Sequence, residues 1–60
     1  MRYHIWRFYE DKWEELYNEG KTFPNYESAL IRLFQPGRPP GKYQIRRVVE
    51  DPTVLEVEIK

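Results

Sequence analysis

Residues that favour β-strands form two segments near the start of the chain. Residues 2–9 are rich in them, and residues 13–18 resume the pattern after the polar segment 10–12. A three-residue connection would place Tyr9 opposite Trp13 and would also pair opposite charges further along the strands. The remaining pairs in this register are Ile5 with Tyr17, Trp6 with Leu16 and Arg7 with Glu15. The pattern therefore predicts an antiparallel β-hairpin.

Apolar residues then recur at helical spacing. The positions that match the i, i+3, i+4, i+7, i+8 pattern are Tyr26, Ala29, Leu30, Leu33 and Phe34. Asn25 precedes them as the expected N-cap, and Glu27 faces the positive end of the helix dipole. Pro36 disfavours helical geometry at the residue before it and so ends the helix. About ten residues are too few for a stable isolated helix, so this helix is expected to pack on the sheet.

A second hairpin is expected near the end of the chain, after a connection rich in proline and glycine at residues 35–42. Residues 43–50 and 54–60 carry the strand pattern, and residues 51–53 are expected to form the turn. One register satisfies both faces of this hairpin. It pairs Ile45 with Ile59, Val49 with Leu55, and Arg46 with Glu58.

The predicted order of elements is β-β-α-β-β. It indicates an α+β fold in which a four-stranded, mainly antiparallel sheet carries one helix packed on one face. The 60 residues are expected to form a single small domain, residues 1–60. The spatial order 2-1-3-4 is favoured because it places the apolar first strand inside the sheet.

Alternation along the strands divides the side chains between two faces. The face under the helix is expected to carry Trp6, Phe8, Leu16, Ile45, Val49, Leu55, Val57 and Ile59, packed against Leu30, Leu33 and Phe34. The opposite, open face is expected to carry Tyr3, Ile5, Arg7, Tyr9, Trp13, Glu15, Tyr17, Arg46, Val48, Glu56 and Glu58. A one-layer sheet normally alternates apolar and polar residues, yet the first strand is apolar on both faces. The open face is therefore either covered or a binding site.

Charge and composition narrow the classes of function. Ten basic and ten acidic side chains give a formal net charge of zero, so there is no global field to hold a polyanion. No acidic residue lies between Ser28 and Val49, however, which allows a local basic patch in segment 32–47. The chain has no cysteine and no apolar run long enough to cross a bilayer. We expect a cytoplasmic protein that does not associate with membranes.

No catalytic or cofactor motif can be recognised. His4 is the only histidine, no nucleophile stands with a base and an orienting group, and no glycine-rich phosphate loop is present. The carboxylates form no calcium-loop spacing. Residues 36–39 match the minimal P-x-x-P pattern, but a helix end followed by a strand start selects the same residues. The sequence predicts a non-enzymatic protein without a cofactor, a metal or a small-molecule substrate.

The aromatic residues are the strongest functional signal. Eight of the ten lie within the first 26 positions, which is more than the core of so small a domain accommodates. Tryptophan, tyrosine and arginine are enriched at the centres of protein interfaces. We therefore expect a protein partner, or a second copy of the chain, to bind the open face or an edge strand. The expected binding residues are Tyr3, Tyr9, Trp13 and Tyr17 as anchors and Arg7 and Arg46 as orienting charges.

Two alternatives remain open. The same rings could stack on bases of single-stranded or structured nucleic acid, with Arg38, Lys42 and Arg46 contacting phosphates. Alternatively, cross-strand pairs of rings only stabilise a marginal sheet. Which rings lie on the open face decides how many are available for either kind of binding.

Overall fold

Four strands and one helix make up the fold. A computed structural model describes residues 2–16, 21–50 and 52–60. The sheet is antiparallel, with the strand order β2-β1-β3-β4. Its elements are β1 (Tyr3–Tyr9), β2 (Lys12–Glu15), α1 (Tyr26–Leu33), β3 (Gly41–Arg47) and β4 (Thr53–Ile59). The predicted α+β class and the β-β-α-β-β order are confirmed, and β1 lies inside the sheet.

The turn between β1 and β2 is shorter than predicted. Tyr9 pairs directly with Lys12, so only Glu10 and Asp11 lie between the strands. Both turn residues have positive φ, 51° and 66°. Two-residue hairpins favour this conformation because it matches the twist of the flanking strands. The predicted three-residue connection is wrong, and the register between β1 and β2 is displaced by one residue.

This displacement turns β1 over relative to the predicted faces. A shift of one residue moves every side chain of a strand to the other side of the sheet. Ile5 is buried in the core beneath α1, and Tyr3 packs against the same core. Trp6 and Phe8 therefore lie on the open face, and their predicted place under the helix is wrong. The predicted faces of Leu16 and Trp13 are confirmed, since Leu16 packs against the core and Trp13 lies on the open face, although opposite Phe8 rather than Tyr9.

The core lies between α1 and the sheet. Ile5 and Ile45 are directly paired across β1 and β3, and both are fully buried. Burial of one such side chain contributes about 1.5–3 kcal/mol. Tyr3 meets Tyr26 of α1 edge to face, with ring centroids 6.1 Å apart. The buried apolar residues are Ile5, Phe23, Ala29, Leu33, Tyr43 and Ile45.

The helix begins as predicted and ends early. The Asn25 side chain accepts a hydrogen bond from the Ser28 backbone N–H at 2.8 Å, which confirms Asn25 as the N-cap. The last helical residue is Leu33, so Phe34 lies beyond the final turn and is 52% exposed. Its predicted place in the core is wrong. Ile31, on the outer side of the helix, is 67% exposed.

The second hairpin has a longer loop than predicted. Ile45 lies opposite Leu55, and Lys42 lies opposite Glu58. The register shifts between Ile45 and Arg46, where an irregularity of the β-bulge type interrupts the ladder. Val49 lies in the loop and is exposed, so its predicted pairing and its burial under the helix are both wrong. The predicted pairs of Ile45 with Ile59 and of Arg46 with Glu58 are also wrong, because the longer loop displaces the register: Ile45 pairs with Leu55 and Arg46 with Thr53.

Candidate interaction face

The open face is the surface of the sheet that faces away from α1. Its side chains follow from the strand register and from the burial of their neighbours on the other side. Rings come from β1 and β2, cations from β3, and carboxylates mainly from β4. The members are His4, Trp6, Phe8, Trp13, Glu15, Lys42, Gln44, Arg46, Glu56 and Glu58.

Arg46 lies at the centre of this face. Its guanidinium carbon is 4.3 Å from the centroid of the Trp6 ring and 5.8 Å from that of Trp13. A cation over an indole is stabilised by about 0.5–1 kcal/mol at an exposed site and by about 2 kcal/mol when water is excluded. Arg46 therefore joins rings from two strands into one layer.

The outer end of the face carries a second set of ring contacts. Phe8 and Trp13 pair across β1 and β2, with ring centroids 5.4 Å apart and planes at 65°. The Lys42 ammonium lies 5.8 Å from the centroid of Phe8, which is 38% exposed. We call Trp6, Phe8, Trp13, Lys42 and Arg46 the ring–cation cluster. It combines apolar area with positive charge on a surface that remains partly accessible.

Polar groups on the same face are held in place by one another. Gln44 is only 7% exposed, and its Nε2 donates to a carboxylate oxygen of Glu56. The Gln44 Oε1 accepts from Arg46 Nε at 2.8 Å and from the Thr53 hydroxyl at 3.3 Å. The hydrogen bond from Nε to Gln44 fixes the orientation of the Arg46 guanidinium. Breaking it costs stability, because a buried polar group that loses its partner has no water to replace it.

His4 forms the inner end of the face. It is 9% exposed, and its Nδ1 lies 2.7 Å from Glu15 Oε1. Its ring meets Trp6 edge to face, with centroids 5.2 Å apart. The Trp6 Nε1 is itself buried and has no hydrogen-bond acceptor in the described parts of the chain. The histidine thus fills space beside Trp6 and ties β1 to β2.

Two of the predicted binding residues are brought together on the open face. Trp13 and Arg46 both belong to the ring–cation cluster. Tyr3 does not, because it packs against the core on the helix side, and its predicted place on the open face is wrong. Tyr17 falls outside the described residues.

Arg7 and Tyr9 lie on the other surface of the sheet from Trp13, so their predicted open-face positions are also wrong. They alternate with Phe8 along β1 and share the side of Ile5. Arg7 Nε is 3.0 Å from a carboxylate oxygen of Glu14, and the Arg7 guanidinium carbon is 4.6 Å from the Tyr9 ring centroid. This group forms a small exposed cluster of its own.

The cations of the nucleic-acid alternative do not share one surface. Lys42 and Arg46 lie on the open face, whereas Arg38 closes the end of α1. Its Nε donates to the Leu33 carbonyl at 3.1 Å, and a terminal guanidinium nitrogen donates to the Arg32 carbonyl. Positive charge is favourable at this end of a helix. Residues 36–39 lie in the connection between α1 and β3.

Sequence reasoning missed Trp6, Phe8, His4 and Gln44 as members of the face. The signal that could have identified the first three was the turn, because a two-residue loop is the commonest hairpin connection. Glu10 and Asp11 lack the Asn-Gly type of pair that marks such turns, and the three-residue loop is favoured by the sequence because it pairs Arg7 with Glu15 and clusters the rings. Gln44 could have been found from its place between Tyr43 and Ile45, which both face the core.

The side chains of the open face offer aromatic contacts and charged groups for binding. Within residues 2–16, 21–50 and 52–60, no three His, Asp or Glu side chains come together in a group that could hold a metal ion. In the same part of the chain, no helix is both long and apolar enough to cross a membrane. Comparison with protein-family models, with curated proteins and with solved structures finds no significant match. The arguments for function therefore rest on the geometry of the face.

Proposed function

We propose that this chain is a non-enzymatic interaction module that binds another protein, or a second copy of itself, through the ring–cation cluster of the open face. The observation that carries the proposal is the position of Arg46 beside Trp6 and Trp13. Protein interfaces concentrate their binding energy in tryptophan, tyrosine and arginine near the centre of the contact. The absence of cysteine fits a reducing compartment, and we propose a cytoplasmic location.

Phe8 supports the proposal because it provides accessible apolar area beside the cations. Its ring is 38% exposed and contacts Trp13 on one side and Lys42 on another. An interface core of this kind is apolar and aromatic, with polar groups at its rim. On the open face, Glu56 and Glu58 of β4 would form part of that rim.

A protein surface suits this face better than nucleic acid does. Phosphate binding needs cations that are not opposed by carboxylates, yet Glu15, Glu56 and Glu58 lie on the open face. Arg38 is already bonded to helix carbonyls on the other side of the molecule. Protein binding is therefore the function that we propose.

Adjacent residues of β1 offer a matched pair of variants for the test. Phe8 lies on the open face, and Tyr9 lies on the opposite surface with 49% exposure. Sedimentation velocity over a concentration series tests self-association, and affinity capture from cell extract followed by mass spectrometry tests a different partner. We expect Phe8→Ala or Trp13→Ala to weaken the association and Tyr9→Ala to leave it unchanged.

The proposal fails if the chain is a strict monomer and the Trp13→Ala variant captures the same proteins as the wild type. That result would mean that the rings only stabilise the sheet. A titration with mixed oligonucleotides at low salt, followed by two-dimensional NMR, provides a further check. If oligonucleotides shift the amide resonances of the open face, and these shifts disappear as the salt concentration is raised, the face binds nucleic acid rather than protein.

A further inference from the structure

The strand β4 lies at the edge of the sheet and pairs, among the described residues, only with β3. Seven residues, Thr53–Ile59, are extended there. The outer side of an edge strand presents backbone donors and acceptors that can pair with another strand. The strand at the opposite edge, β2, has only four residues and therefore presents fewer backbone donors and acceptors.

The side chains of β4 alternate strictly in character along its second half. Leu55, Val57 and Ile59 are half-buried and pack against the core on the helix side. Glu56 and Glu58 are exposed on the open face. A strand added at this edge would therefore meet an apolar row on one side of the sheet and an acidic row on the other.

Charge determines which strand fits. Antiparallel pairing of β4 with the β4 of a second copy along all seven residues would place Glu56 opposite Glu56. Like charges directly opposite in a sheet are destabilising, whereas opposite charges are favourable. Full-length pairing with a second copy is therefore disfavoured at this edge, and a segment with basic side chains next to Glu56 and Glu58 is favoured.

We propose that β4 accepts an extended protein segment, in which basic residues alternate with apolar residues, as a fifth strand of the sheet. Main-chain hydrogen bonds supply affinity in this mode of recognition, and alternate side chains supply specificity. The basic side chains contact Glu56 and Glu58, and the apolar side chains extend the row of Leu55, Val57 and Ile59. This site contains no member of the ring–cation cluster, although it shares Glu56 and Glu58 with the rim of the proposed interface, and it does not depend on the function proposed for that cluster.

The probe is a blocked hexapeptide of the repeating sequence Lys-Val. Its control has the same composition but carries three lysines followed by three valines, so it cannot place all basic groups on one face. We expect the alternating peptide to shift the amide resonances of β4 and to protect them from hydrogen exchange. It should bind about tenfold more tightly than the block peptide, since only the alternating peptide satisfies both rows.

A charge-reversal variant tests the acidic row. Glu58→Lys should weaken binding of the alternating peptide about fivefold at low salt, because an attraction is replaced by a repulsion. Glu58→Gln should weaken it less and serves if the reversed charge disturbs the fold. Phe8→Ala should leave the affinity unchanged, so failure at the edge and failure at the open face are distinguishable.

Three outcomes would overturn the proposal. Equal affinity for the two peptides would show attraction by charge alone. Shifts confined to Trp6, Phe8 and Trp13 would place the peptide on the open face. The last outcome uses two peptides, one N-methylated at every lysine and the other at every valine. Undiminished affinity for both would show that no strand is added, because one of the two sets carries the backbone donors that pairing with β4 requires.

Discussion

The guanidinium carbon of Arg46 lies 4.3 Å from the centroid of the Trp6 ring. The two residues come from neighbouring strands, β3 and β1, and meet on the face of the sheet that α1 leaves open. Arg46 is also bonded through Nε to the buried Gln44 side chain. Arg46 thus connects the rings of the proposed binding surface with the buried Gln44 side chain.

Arg46 should contribute to stability as well as to binding. We expect Arg46→Ala to lower the free energy of unfolding by about 1–2 kcal/mol, because it removes a cation–ring contact and the shorter of the two hydrogen bonds that the Gln44 Oε1 accepts. Arg46→Lys should recover part of the loss, since it retains the charge but not the planar group. Urea denaturation followed by tryptophan fluorescence measures both. Arg7→Ala is the comparison, because Arg7 also contacts a ring, that of Tyr9, while its ion pair with Glu14 is more than one-third exposed and should contribute less than about 1 kcal/mol. A larger loss for Arg46→Ala therefore reports its bond to Gln44.

The two-residue turn makes opposite predictions for neighbouring glycine substitutions. Asp11 has a φ of 66°, where glycine is less strained, so Asp11→Gly should raise the free energy of unfolding by about 1 kcal/mol. Lys12 is the first residue of β2, and Lys12→Gly should lower it by about 0.5–1 kcal/mol. Thermal denaturation of the two variants distinguishes this turn from a three-residue loop. A gain in both variants would place Lys12 in the loop.

Ile5 in the core and Ile31 on the helix surface should respond differently to truncation. Ile5 is fully buried, and we expect Ile5→Ala to lower the free energy of unfolding by about 2–5 kcal/mol. Ile31 is 67% exposed on α1, so Ile31→Ala should change stability by less than about 0.5 kcal/mol. Chemical denaturation of both variants tests the orientation of β1. A small loss at Ile5 would contradict its burial beneath the helix.

Arg38 should stabilise the end of α1. Its side chain donates to the carbonyls of Leu33 and Arg32, which have no partner inside the helix. We expect Arg38→Ala to cost about 1 kcal/mol of folding stability. Arg38→Lys should recover little, because an ammonium does not reproduce the two-pronged contact. Helix content and the thermal midpoint from circular dichroism provide the measurement, and an unchanged midpoint would contradict this role.

The sequence predicted the elements well and their orientation only in part. The helical spacing from Tyr26 onward and the N-cap at Asn25 are local signals, and local signals survive folding. The faces of β1 depend on a single residue in the turn, because strand side chains alternate with a period of two. Trp6 and Phe8 are apolar, as are their neighbours Ile5 and Tyr9, so composition could not correct the error.

The candidate site was predicted in kind but not in membership. An aromatic open face was expected, and Trp13 and Arg46 lie on it. Tyr3 was expected there as well, but it shares the face of Ile5 along β1 and therefore lies on the core side, where it contacts Tyr26 of α1. Such a contact joins residues far apart in sequence, and strand periodicity alone does not reveal it.

We propose that the ring–cation cluster binds a protein, and the adjacent residues Phe8 and Tyr9 provide the sharpest comparison. Both rings are exposed, at 38% and 49%, but they lie on opposite sides of β1. The measurement is sedimentation velocity, together with capture from extract, for the wild type, Phe8→Ala and Tyr9→Ala. We predict that only Phe8→Ala loses association while all three proteins keep their fold. Equal association in the wild type and Phe8→Ala, or no association in any of them, would contradict the claim.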